Sequence, residues 1–141
     1  MLLMWLPIAA PAGDLYMVRS ELSFPEAMSV LQAAIREQGY TVSRVQRVDI
    51  GLTRSGYKTD KYRVVFFGKT DEIEQISHKH IDLIPYVPLK IAIFAEEDDT
   101  ILLASNFDHL RPFYPDSELQ ADFDRWEKDI QAILKKVQDA E

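Results

Sequence analysis

No cysteine occurs anywhere in the 141-residue chain. That excludes disulfides, thiolate nucleophiles and thiolate metal sites, while leaving the compartment open. Basic residues are outnumbered, 16 against 23 acidic, for a formal net charge of −7. Non-specific nucleic-acid binding needs a surplus of Lys and Arg to neutralise phosphates, so none is expected. Glycine is sparse and scattered: five residues, with no glycine-rich turn. Phe67-Gly68-Lys69-Thr70 has the tail of a phosphate-binding loop, but the glycine required five residues before Gly68 is Arg63. There is no Gly-x-Ser-x-Gly elbow for a serine hydrolase. The acidic run Glu96-Glu97-Asp98-Asp99 lacks the alternating ligands and the glycine of a calcium loop, and reads as a solvated turn. Repeats and low-complexity tracts are also missing.

The charge that is present is unevenly placed. Residues 40–67 carry Arg44, Arg47, Arg54, Lys58, Lys61 and Arg63 against only Asp49 and Asp60. The rest of the chain is strongly acidic, so this segment is the one basic region. The amino-terminal stretch MLLMWLPIAAPAGD is apolar. Residues 1–12 contain no Lys or Arg and fall short of the ~15–30 residues of an export signal. They are also shorter than the ~20 apolar residues that cross a bilayer. Residues 1–13 are therefore read as an edge segment, with a remnant export signal as the alternative; residues 14–141 form one domain. A cytoplasmic location follows from the first reading and an exported one from the second.

Periodicity supplies the elements. Residues 14–24 alternate as a strand. SFPEAMSVLQAAIREQG follows as a helix, with Ser23 and Glu26 at capping-box spacing and Gly39 as its stop. Phe24, Ala27, Met28, Leu31 and Ile35 make its buried stripe. Residues 40–50 are β-rich, but Val42, Val45 and Val48 stand three apart, which calls for a bulge or a short helical turn. Residues 51–60 read as a loop and 61–67 as a strand. TDEIEQISHKH (70–80) is a short helix capped by Thr70, acidic at its start and basic at its end. Residues 88–94 and 100–106 form a hairpin, and 107–115 an irregular connection. The final helix buries Leu119, Phe123, Trp126, Ile130, Leu134 and Val137. The order is β-α-β-β-α-β-β-α: a single α+β domain whose largely antiparallel sheet has helices packed on one face.

Two constellations carry potential chemistry. His78, His80 and Asp82 have His-x-His-x-Asp spacing. On a helix, residues two apart point about 200° from one another, so His78 and His80 would diverge; on a strand they would share a face and a metal. The second constellation is the basic segment. If residues 40–48 pair with 61–67, Arg44, Arg47, Lys61 and Arg63 line a patch suited to a carboxylate or phosphate, with Tyr57, Tyr62 and Tyr86 as a candidate aromatic wall.

SELSFPEAMSVLQAAIREQGY, RVDI (47–50), VVFFGKT (64–70), VPLKIAIF (87–94) and LLASN (102–106), taken in that order, resemble motifs of the DUF302 family of unknown function. SELSFPEAMSVLQAAIREQGY is similar to its opening helix, RVDI (47–50) to its hydrophobic-Asp motif, and VVFFGKT (64–70) to its strand ending in Phe-Gly-Asn-Pro. VPLKIAIF (87–94) resembles its Leu-Pro-Leu-Lys strand and LLASN (102–106) the strand after it. Lys69-Thr70 departs from Asn-Pro, and Val87 from the Leu before Pro88. The resemblance implies a curved antiparallel sheet in a TATA-binding-protein-like arrangement and no established activity.

Three readings follow. The first is a non-enzymatic binding domain for a small anionic molecule or a protein partner, using Arg44, Arg47, Lys61, Arg63 and Lys90, with no cofactor. The second is a metal-dependent protein or enzyme using His78, His80 and Asp82. The third is a homodimerisation or membrane-contact module built on the amino terminus (Trp5, Leu6) or on Trp126.

Overall fold

The computed structural model describes residues 15–56 and 61–141. The amino-terminal segment with Trp5 and Leu6, and the aromatic candidate Tyr57, lie outside the described residues. Among the described residues five strands form one sheet: β1 (Leu15–Ser20), β2 (Thr41–Arg47), β3 (Tyr62–Gly68), β4 (Leu89–Glu96) and β5 (Asp99–Ser105). Their spatial order is β1-β5-β4-β3-β2, and every neighbouring pair is antiparallel. Four α-helices among the described residues accompany them: α1 (Phe24–Glu37), α2 (Val48–Arg54), α3 (Thr70–Lys79) and α4 (Ser117–Asp139). This is the expected α+β architecture with one addition, since α2 occupies part of the stretch read as a loop.

Helix α1 carries the chain from β1 at one edge of the sheet to β2 at the other. Its buried face is Phe24, Ala27, Leu31, Ala34 and Ile35, and Met28 is only partly buried. Ser23 holds the N-cap position with extended backbone, yet its side chain makes no capping bond. Pro25, the second helical residue, has no N–H, which removes one of the two donors a capping hydroxyl uses. The helix stops where expected. Gly39 adopts φ +86°, its N–H donates to the Arg36 carbonyl at 2.9 Å, and the Tyr40 N–H donates to the Ile35 carbonyl at 3.2 Å. That pair of bonds is the Schellman closure, which favours glycine because a Cβ crowds the left-handed region.

Helix α4 is capped by Asp116, whose carboxylate accepts the Glu118 N–H at 2.8 Å. It buries the six expected residues and Ile133 as well. It packs with α1 across one face of the sheet, against Val65 and Phe67 of β3, Ile91 and Ile93 of β4, and Leu102 of β5. Trp126 is 1% exposed, so it is a core residue and offers nothing to a two-fold surface. Phe107 stacks on Phe123 at 5.3 Å and anchors the connection that follows β5. Arg111 ties that connection to α4 through Asp124 at 2.8 Å and Glu127 at 2.9 Å.

Candidate functional site

Alternation along the strands splits the basic segment between the two faces of the sheet. Val42 stands opposite Phe67, and the register then shifts so that Arg44 stands opposite Phe66 and Val45 opposite Val65. Ser43 is the extra residue of a bulge, and its hydroxyl donates to the Phe66 carbonyl at 3.2 Å. Because of the bulge, Val42 and Val45 share the helix side although they are three apart. Arg44 is thereby turned to the opposite, helix-free face.

Phe66 is also the direct partner of Lys90 on β4. Arg44, Phe66 and Lys90 therefore form one row across three strands, with a cation on each side of the ring. Arg44 and Lys90 are exposed, and neither has an ion-pair partner among the described residues. The next row is Gln46, Val64, Ala92, Leu103 and Met17. Beyond it Tyr62 stacks on Phe94 at 5.3 Å. At the far end Arg19 pairs with Glu96 at 3.0 Å and Asp99 at 3.2 Å. One face thus runs from a cationic row, over an apolar floor, to an ionic cluster of one arginine and two carboxylates.

A hollow of about 390 Å³ opens on this face, lined chiefly by Leu15, Val64, Phe66, Ala92 and Leu103, with Gln46, Lys90 and Ser105 as its polar members. A second hollow, about 200 Å³, lies past the same end of the sheet, between Pro85, Tyr86, Phe107 and His109. Lys90 and Ser105 line both. Of the aromatic candidates, Tyr62 sits on the open face and Tyr86 rims the second hollow.

Arg47, Lys61 and Arg63 do not join Arg44 and Lys90. Arg47 stands opposite Arg63 on the helix side. The guanidinium of Arg63 donates to the Asp49 carboxylate and lies 5.6 Å from the centre of the Phe24 ring. The Lys61 ammonium sits over the same ring at 5.8 Å. Burial alone would raise the Asp49 pKa, but the hydrogen bond and charge of Arg63 outweigh it and hold the carboxyl below its ordinary range. Arg63 is therefore neutralised internally, and of the four basic residues only Arg44 reaches the open face, where Lys90 joins it; Arg47, Lys61 and Arg63 stay on the helix side.

The histidine constellation is placed as a helix end. His78 is exposed on the last turn of α3, His80 is the half-buried residue that ends it, and Asp82 is exposed in the short 3-10 turn Ile81–Tyr86. His80 borders a hollow with Asp71, Glu72, Asp122 and Arg125; His78 and Asp82 are not part of its lining. Among the described residues, no three or more His, Asp or Glu side chains are grouped to hold a metal ion. No helix among them is long and apolar enough to cross a membrane.

The open face contains residues that sequence reasoning passed over: Val64, Phe66, Leu103 and Ser105. For Val64 and Phe66 the signal was the unbroken apolar run VVFF. In an antiparallel sheet with helices on one side only, such a run leaves half of its side chains uncovered.

Comparison with known proteins places the architecture. The model of a family described as domain of unknown function DUF302 matches residues 16–137. A crystal structure of an uncharacterized conserved DUF302 protein from Bacillus stearothermophilus superposes with a TM-score of 0.78 at 17% sequence identity, over 89% of this chain and 99% of that one. No curated protein matches the chain.

Proposed function

The chain belongs to the DUF302 family, and from that premise we propose that it is a non-enzymatic binding domain that takes a small anionic ligand on the open face of its sheet. The reading rests on one observation: Arg44 and Lys90, both without an ion-pair partner among the described residues, flank Phe66 in a chain of net charge −7. Six cations among the described residues pair with carboxylates, Arg19, Arg63 and Arg111 among them; what sets Arg44 and Lys90 apart is their place on either side of Phe66. Two cations left free in one row, beside a hollow, suit a carboxylate or phosphate: Arg44 offers a planar fork and Lys90 a mobile point charge. Ser105 adds a hydroxyl beside Lys90.

The test is thermal unfolding of the full chain against phosphate, citrate, acetate and a series of monocarboxylates. A ligand that binds only the folded state raises the melting temperature as its concentration exceeds the dissociation constant. The double variant Arg44→Ala/Lys90→Ala should fold normally, since both side chains are exposed, and should lose the response. A response that survives the double variant places the anion elsewhere.

A further inference from the structure

Resting on that reading, we infer that the anion is the head of a free, straight-chain carboxylate whose alkyl chain lies across the sheet from Phe66 and Lys90 toward Phe94. The hollow beside Lys90 is floored by Leu15, Val64, Phe66, Ala92 and Leu103. A compact hydrophilic anion would occupy the cationic row and leave this floor in water. An alkyl chain replaces that water, and the gain grows with every methylene buried.

The shape also fits a chain. From Lys90 through Ala92 to Phe94 the open face extends four residues along β4, or about 13 Å at the rise of an antiparallel strand. It ends at the stacked Tyr62–Phe94 pair, beyond which Arg19, Glu96 and Asp99 satisfy one another. Among the described residues, unpaired positive charge is therefore offered at one end only, while the other end carries net negative charge, the polarity of a single-headed anionic amphiphile. A volume of about 390 Å³ falls within the ~300–1,000 Å³ of small-molecule sites. A bilayer is disfavoured as the source of the head group, because an anionic membrane surface repels a protein of net charge −7. A single free carboxylate meets only the local Arg44–Lys90 pair.

Calorimetric titration of the full chain with butyrate, hexanoate, octanoate and decanoate tests the inference, with octanol, citrate and phosphate as controls. Each added methylene is expected to tighten the dissociation constant by about two- to fourfold until the floor is filled. Octanol should bind at least tenfold more weakly than octanoate. Arg44→Ala/Lys90→Ala should bring octanoate to the level of octanol. Ala92→Phe, which fills the hollow and leaves both cations in place, should abolish the dependence on chain length. If Ala92→Phe does not fold, amide shift changes in the wild type provide the same reading: octanoate should perturb Val64, Ala92 and Leu103.

Citrate or phosphate binding through Lys90, with no dependence on chain length, overturns this inference and leaves the proposed function standing. Failure of every anion to bind overturns both. Binding only to anionic vesicles, or concentration-dependent self-association abolished by Leu103→Asp, overturns the inference in favour of a membrane or a second copy.

Discussion

The hydroxyl of Tyr40 donates to the carboxylate of Asp129 at 2.6 Å, joining the residue that follows the α1 stop to the middle of α4. The ring of Tyr40 packs edge-on against Phe67 at 5.4 Å, and the Lys69 ammonium lies 4.8 Å from its centre. Burial, and then the Asp129 hydrogen bond and charge, push the phenol well above its ordinary range. Tyr40→Phe keeps the packing and removes the bond, so it should cost about 1.5–3 kcal/mol at neutral pH, as hydrogen bonds to charged groups do. The alkaline limb carries the same information. Above pH ~10 the unfolded tyrosine ionises while the folded one stays protonated, so the contribution of Tyr40 is lost as pH rises. Urea denaturation across that range should show a steeper decline for wild type than for Tyr40→Phe. Parallel slopes would contradict the assignment.

Asp49 behaves in the opposite sense. Arg63 holds its folded pKa below the ordinary value. The pair therefore stabilises above the unfolded pKa of ~3.9 and is lost as pH falls through the folded value. Asp49→Asn should lower stability at neutral pH and flatten the acid limb. Arg63→Met should do the same, because it removes the charge that depresses Asp49 while retaining a stem to cover Phe24. Acid titration followed by circular dichroism measures both.

Much of this architecture was legible in the sequence. Gly39, the β-rich runs of β3–β5 and the four-three spacing from Leu119 to Val137 each express a local rule that tertiary packing reinforces. Ordered motifs were enough to indicate the family, now shown by a match over residues 16–137. Helix α2 was only partly legible: valine spacing allowed a short helical turn within residues 40–50, but residues 51–60 read as a loop. It buries no residue, contains Gly51 and so shows no apolar stripe; Asp49–Arg63 ties its first turn to β3. The site was half legible. Charge clustering found Arg44 and Lys90 but joined them to Arg47, Lys61 and Arg63. The division between faces depends on where the bulge falls, and valine spacing announced a bulge without locating it.

Arg111 should repay mutation more than most surface arginines. It donates to Asp108 at 3.1 Å, Asp124 at 2.8 Å and Glu127 at 2.9 Å, and its guanidinium lies 5.8 Å from the centre of the Phe123 ring. Asp108 and Asp124 are 65% and 72% exposed, so salt screens their share; Glu127 is 16% exposed and keeps most of its own. Arg111→Met should therefore cost about 1–3 kcal/mol, and most of that cost should persist in high salt. Paired urea titrations at low and high ionic strength decide it. A cost that vanishes in salt would mean the exposed carboxylates dominate.

The bulge at Ser43 makes the sharpest prediction about the site. With Ser43 present, Arg44 faces Phe66 only because the strand accommodates one residue too many. Deleting Ser43 should restore an even ladder without changing register: Val42 still meets Phe67, Arg44 still meets Phe66 and Val45 still meets Val65. The one identified loss is the Ser43–Phe66 hydrogen bond at an exposed edge, so stability should change by less than about 1 kcal/mol. The anion response through Arg44 and Lys90 should survive. Deleting Gln46 instead keeps Arg44 in place but moves Arg47 onto the open face opposite Val64, carrying charge onto the apolar floor. That variant should bind anions without discriminating by chain length. Melting curves and octanoate titrations of the two deletions separate the outcomes, and equal behaviour would mean that the residue opposite Val64 does not govern discrimination by chain length.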